Sequence, residues 1–239
     1  MKRGKHIPEI AGDLLSAHDL RFHDDYLIEL TNNTVLSNER KNLDKQIVIV
    51  TGPSGGGKDT MINSLPPGTF VRWKTWTTRE KIRADEISDD PYVRATREHF
   101  LAEKEKGNFI ETNEYSGNLY GTHKREAEKA FADGRIPVLR IDPRGAINFN
   151  ALFKDMANPF HEANLHHFFI VPPNTEELLR RLKNRDGNHD EVAKRLKAAI
   201  SDLPFMINAH YILVNHSNKV GEVVNALTSY LESFGSLNE

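Results

Sequence analysis

Residues 47–63 read Ile-Val-Ile-Val-Thr-Gly-Pro-Ser-Gly-Gly-Gly-Lys-Asp-Thr-Met-Ile-Asn, an apolar run that breaks into a glycine-rich turn and resumes with helix-compatible residues. Strand, tight loop and helix in that order constrain the chain to an α/β layer arrangement. The loop has the chemistry of a phosphate cradle. Gly52, Gly55, Gly56 and Gly57 let successive backbone N–H groups turn inward without a Cβ in the way. The helix beginning near Lys58 adds its positive end, and the Lys58 ammonium neutralises terminal phosphates. The plainer reading, a glycine-rich surface turn, needs neither the buried-type strand before it nor the helix after it.

From Gln46 onward, strand, loop and helix patterns alternate, which predicts a largely parallel sheet covered by helices. Core strands are expected at Gln46–Thr51, Phe70–Thr75, Ile136–Ile141 and Leu165–Val171, with a fifth at His210–Val214. The segment 77–122 interrupts this rhythm with short polar strands and one helix, Arg97–Lys106, and is expected to stand off the sheet as a subdomain. After Pro172-Pro173, Asn174 suits the N-cap of a helix at Thr175–Asn184. Arg185–Asp190, polar and containing Gly187, is expected to be a mobile loop. Residues 1–45 hold two short apolar segments, Ile10–Leu15 and Tyr26–Leu30, and no readable chemistry.

The chain has 239 residues, enough for one sizeable core with small insertions. Its 32 Lys plus Arg balance 34 Asp plus Glu, so no global field draws it to nucleic acid or an anionic membrane. The absence of cysteine excludes a disulfide framework and thiolate metal sites. No apolar stretch approaches the ~20 residues of a membrane span, and Met1-Lys2-Arg3 is not followed by a hydrophobic region. The expectation is a cytoplasmic protein that binds small molecules, neither nucleic acid nor membrane, with protein partners undetermined.

Downstream of the loop come Thr75-Trp76-Thr77-Thr78-Arg79, Phe109-Ile110-Glu111, Ser116-Gly117-Asn118-Leu119-Tyr120-Gly121-Thr122, Ile141-Asp142 and the late Val214-Asn215. In this order and spacing the chain resembles the guanylate kinase family from about Gln46 to Phe234. The resemblance implies a P-loop kinase core, a parallel sheet flanked by helices, with a small inserted nucleoside-monophosphate-binding subdomain and a lid. The divisions expected are 1–45 as an extension, 46–76 and 123–234 as core, 77–122 as acceptor subdomain, and about 183–196 as lid. It also implies transfer of the γ-phosphoryl group of ATP to GMP or dGMP, with Mg²⁺.

By that resemblance, Gly52, Pro53, Ser54, Gly55, Gly56, Gly57, Lys58, Asp59, Thr60 and Asn215 bind ATP. Lys58, Arg181, Arg185 and Arg195 stabilise the transferring group. Thr75, Arg79, Arg83, Tyr92, Glu111, Tyr120, Thr122 and Asp142 bind the acceptor. The chemistry agrees with the roles: guanine offers N1–H and N2–H₂ donors beside an O6 acceptor, so carboxylates with hydroxyl donors distinguish it from adenine. Arginine's planar fork suits a phosphate.

Three positions depart from the family pattern. Asp59 stands where P-loops place Ser or Thr for the metal, so Asp59 and Thr60 are expected to hold Mg²⁺ through water. Arg140 and Arg144 replace a usual acid and a usual Gln, and are expected to put a cation beside the base pocket. A kinase of the same fold with another nucleotide or a ribose phosphate as acceptor, and a non-catalytic binding module, remain alternatives. Taken singly, each residue also has a plain reading: Glu111 as an exposed strand carboxylate, Asp142 as a loop cap, Arg180–Arg185 as a solvated helix face. His166 and His167 are adjacent in a strand and point to opposite faces, so all eleven histidines read as structural. Trp73 and Trp76 read as core or hinge packing.

Overall fold

A computed structural model describes residues 27–29, 42–82, 90–115, 117–153, 155–186 and 189–235. In chain order the elements are β1 (Leu27–Glu29), β2 (Asn42–Thr51), α1 (Lys58–Asn63), β3 (Phe70–Trp73), β4 (Thr75–Thr77), β5 (Tyr92–Arg94), α2 (Arg97–Glu105), β6 (Phe109–Tyr115) and β7 (Asn118–His123). There follow α3 (Lys124–Ala132), β8 (Ile136–Arg140), α4 (Pro143–Phe153), β9 (Ala163–Val171), α5 (Thr175–Asp186), α6 (His189–Asp202), a 3₁₀ turn at Leu203–Asn208, β10 (Tyr211–Val214) and α7 (Val220–Gly235).

The larger sheet has the order β1-β10-β9-β2-β8-β3 and is parallel except for β1. At its centre, Ile47, Val48, Ile49 and Val50 of β2 are all fully buried, as a strand covered on both faces requires. Period-two alternation divides them between two layers. Val48 and Val50 join Met61 of α1 and Val223, Leu227 and Leu231 of α7. Ile47 and Ile49 join Trp73, Leu139, Ala127 of α3, and Phe149 and Phe153 of α4. Each such large side chain removed from water contributes about 1.5–3 kcal/mol. The same alternation separates the histidines. The His166 ring meets Tyr230 of α7 edge-on at 5.8 Å, while His167 Nε2 lies 2.8 Å from Thr51 Oγ1 on the other face. Burial holds both imidazoles down at a pKa of about 3.

The strand expected at Phe70–Thr75 is two strands. It breaks at Lys74: β3 stays in the main sheet, and β4 enters a second sheet of order β5-β4-β7-β6. This smaller sheet has its own core of Trp76, Phe100, Phe109 and Leu119. The tryptophans flank the crossing. Trp73 Nε1 donates to the His123 carbonyl at 2.9 Å, and Trp76 stacks on the His123 ring at 4.3 Å.

The loop expected at Arg185–Asp190 is largely helix. α5 runs through Asp186 and α6 begins at His189, while Gly187 lies outside the described residues. Acid–base pairs at i,i+4, Glu177–Arg181 and Glu191–Arg195, support these helices despite their polarity. Part of the amino-terminal extension is also structured. Leu27–Glu29 forms an antiparallel edge strand on β10. Among the described residues no helix is long and apolar enough to cross a membrane.

Candidate active site

β2 delivers Thr51 to the start of the glycine loop at the C-terminal end of the sheet, where parallel α/β sheets place ligand sites. The loop passes so close to β9 that a side chain at Gly52, whose φ is +133°, would put its Cβ 2.1 Å from the Ile170 carbonyl oxygen. At Gly57 (φ +90°), which caps α1, a Cβ would collide with the Asn215 amide at 2.0 Å. Only glycine fits at either position.

Lys58 folds back over the loop. Its ammonium donates to the carbonyls of Gly52 at 2.7 Å and Pro53 at 2.8 Å. Gly56 N–H closes the turn on Pro53 O at 3.1 Å, with Ser54 and Gly55 between them. Asn215, which directly follows β10, donates its side-chain amide to Gly56 O at 3.0 Å.

α5 braces the loop from outside. Arg181 donates to the carbonyls of Asn215 at 2.7 Å, Gly56 at 3.3 Å and Gly55 at 3.5 Å, and to Glu177 at 2.7 Å. Glu177 also accepts two hydrogen bonds from Arg180 and one from the Ser217 hydroxyl. Arg180 first, then Ser217 and Arg181, hold its carboxyl down at a pKa of about 2. Arg195 pairs with Glu191 on its own helix at 3.2 Å. Arg83 and the Arg185 side chain lie outside the described residues.

Asp59, one residue past Lys58, accepts on Oδ1 from Arg72 Nη1 and Arg140 Nη1, each at 3.1 Å. Arg140 thus directs its Nη1 to the first turn of α1, beside the glycine loop. The Arg144 guanidinium lies 5.1 Å from the Phe205 ring. Thr60 is exposed, and its carbonyl accepts from the Ser64 hydroxyl.

On the second sheet, Thr122 Oγ1 of β7 donates to Glu111 Oε1 of β6 at 2.6 Å. Burial raises the Glu111 pKa; the Thr122 hydrogen bonds lower it, and the charge of Asp142 raises it further. Glu111 and Asp142 thus share one electrostatic neighbourhood across the two sheets. Asp142 is also the loop cap of the plainer reading, since its Oδ1 accepts from the N–H groups of Arg144 at 3.0 Å and Gly145 at 2.9 Å. Beside this pair, Thr75 of β4 faces Tyr92 of β5 in register. The rings of Tyr92 and Tyr120 lie 6.0 Å apart, and the Arg79 guanidinium is 5.3 Å from the Tyr92 centroid.

Several participants were not among the residues expected from sequence. Arg94, held by both oxygens of Asp90, is 5.8 Å from the Tyr92 centroid and donates to the Arg79 carbonyl. Asp202, at the end of α6, feels the charges of Arg144, Lys58 and Asp142 together, with burial raising its pKa. It marks the place where the glycine loop and the Asp142 turn meet. Arg72 and Glu177 complete the set. Only the E-E-L-L-R-R run carrying Glu177 at i,i+4 from Arg181 gave a local signal.

A strand, a lysine-bearing glycine loop and a helix, with a polar cluster on an inserted sheet, define a P-loop kinase. This chain belongs to the guanylate kinase family, whose model matches residues 44–234. The guanylate kinase of Paraburkholderia xenovorans (strain LB400) is 32% identical over 173 residues, spanning 72% of this chain and 73% of that protein. That of Fusobacterium nucleatum subsp. nucleatum is 30% identical over 188 residues, spanning 78% and 96%. The crystal structure of guanylate kinase from Anaplasma phagocytophilum shares the fold, with a TM-score of 0.55 at 24% identity over 82% of this chain and 88% of that one.

Proposed function

We propose that the chain transfers the γ-phosphoryl group of ATP to GMP or dGMP. The observation that carries this reading is the hydrogen-bonded pair of half-buried Glu111 and buried Thr122, with Asp142 in electrostatic reach. Carboxylate and hydroxyl there match the donor edge and O6 of guanine. A base with the reversed edge would set its acceptor against the Glu111 carboxylate and leave that carboxylate without the two donors guanine supplies, which disfavours it. Thr75 completes the base contacts, and Arg79, Arg83, Tyr92 and Tyr120 grip the acceptor's phosphate.

The glycine loop, residues 52–57, holds the donor triphosphate with main-chain N–H groups. Lys58 leaves the Gly52 and Pro53 carbonyls for the phosphates. Arg185 and Arg195 close over them from a lid of about residues 183–196, Arg181 joins them from α5, and Asn215 fixes the loop beneath. The attacking oxygen belongs to a phosphate that is already anionic, so no general base is needed; positioning and charge neutralisation supply the rate. The second oxygen of the Asp59 carboxylate and the exposed Thr60 fit a hydrated Mg²⁺, which would be held through water and would shield the triphosphate charge.

The test is an acceptor screen with ATP and Mg²⁺ over GMP, dGMP, AMP, CMP, UMP, dTMP and ribose phosphates. Turnover confined to GMP and dGMP is expected, and Glu111→Gln should lower kcat/KM for GMP by about 10²-fold while KM for ATP changes little. Preference for another acceptor, or no transfer at all, would refute the reading.

A further inference from the structure

We infer that Arg72 and Arg140 are positioning residues of the nucleotide site: they fix the Asp59 carboxylate beside the phosphate loop and cancel its charge toward the triphosphate. The inference rests on the ATP-binding reading above. P-loops carry an uncharged Ser or Thr after the lysine. Here the same position brings a full negative charge to the first turn of α1, at the helix end that must receive phosphates. Left alone, that charge would repel metal-free nucleotide and over-attract a cation.

The fold supplies two cations from separate strands. Arg72 comes from β3 and Arg140 from the end of β8, neighbouring strands of the main sheet. Both guanidiniums converge on Oδ1 at 3.1 Å. Arg72 is nearly buried, 10% exposed, and also donates to Asn63 Oδ1 at the end of α1 at 2.6 Å, so its position is set by packing and by a second bond. Arg140 keeps 36% exposure and Asp59 47%, which leaves both in reach of solvent and of a ligand at the loop. Because both contacts fall on one oxygen, Oδ2 stays available for a metal-bound water.

The quantity to measure is the ratio of the ATP Kd in excess EDTA to the Kd in excess Mg²⁺, by calorimetry without acceptor. In Arg140→Met the ratio should rise about tenfold, because an unscreened Asp59 penalises bare ATP and favours the metal complex. Adding Asp59→Ser should return the ratio to within about threefold of wild type, and Arg140→Lys, which keeps the charge, should stay near wild type throughout. An unchanged ratio in Arg140→Met, or failure of Asp59→Ser to restore it, would overturn the inference, since a merely structural role moves both constants alike. Arg72→Gln, which removes the other cation on Asp59, gives a second entry to the same comparison should Arg140→Met not fold, with the same rise in the ratio expected. The acceptor plays no part in this measurement, so loss of the GMP reading leaves it intact. A wild-type protein that does not bind ATP would overturn both.

Discussion

Lys58 holds its charge against two carbonyl oxygens of its own loop, so the donor role proposed above requires an exchange of partners for that ammonium. Lys58→Met should reduce kcat/KM by about 10³-fold or more, with the circular dichroism spectrum unchanged. Near-normal turnover would exclude the phosphate role of the loop. Glu111 has the opposite character, since burial raises its pKa above the ordinary carboxylate value. The folded state then binds the proton more tightly than the unfolded chain, and stability falls as pH rises above the unfolded pKa. The Glu111→Gln variant proposed above should therefore melt no lower than wild type at pH 7, even as it loses GMP use. A clear drop in Tm would mean that the carboxylate serves the fold. Lys58, Glu111, Tyr120 and Thr122 were legible because each sits in a short contiguous string. Arg72 and Asp202 were not: Arg72 meets Asp59 and Asn63 only once β3 has turned back beside α1, and Asp202 comes under the charges of Lys58, Asp142 and Arg144 only when α6 packs beside the loop.

α5 shows how much of an element was readable and how much depended on tertiary contacts. Its start was plain: Asn174 accepts from the Glu177 N–H at 2.8 Å, the cap that the residue type announced. Its end was not, because the polar run 185–190 has loop-like composition, and only packing of Leu178, Leu182, Val192 and Ala199 against one another carries the helices through. The split of Phe70–Thr75 at Lys74 was hidden for a similar reason, since an extended backbone continues on both sides and only hydrogen-bond partners reveal two sheets. Within α5, Glu177 ties Arg180, Arg181 and Ser217 together with its pKa held at about 2, chiefly by Arg180. A depressed carboxylate contributes stability above its unfolded pKa near 4.5, and that contribution is lost as pH falls towards 2. Glu177→Gln should therefore flatten the loss of stability between about pH 4.5 and 2, measured by urea unfolding, and weaken ATP binding through the released Arg181. An unaltered acid limb would mean that Glu177 is not ionically engaged.

Across the whole molecule, the parallel core was legible from period and loop chemistry, the break in that rhythm over 77–122 set a subdomain apart, and the resemblance gave it a role. The surprise is β1. The stretch Tyr26–Leu30 showed nothing beyond a few apolar residues, because edge pairing leaves no periodicity in three residues. Its Leu27–Glu29 segment covers an otherwise open edge of β10. Deleting residues 1–40 should lower Tm by several degrees, about 1 kcal/mol in a chain of this size, and increase aggregation. It should also weaken ATP binding more than GMP binding; equal effects on both, or none, would show that the strand matters only for solubility. The path is short. β1 lies on β10, β10 runs straight into Asn215, and Asn215 grips Gly56. A change that displaces Leu27–Glu29 from β10 should therefore be read out at Gly56, one strand away.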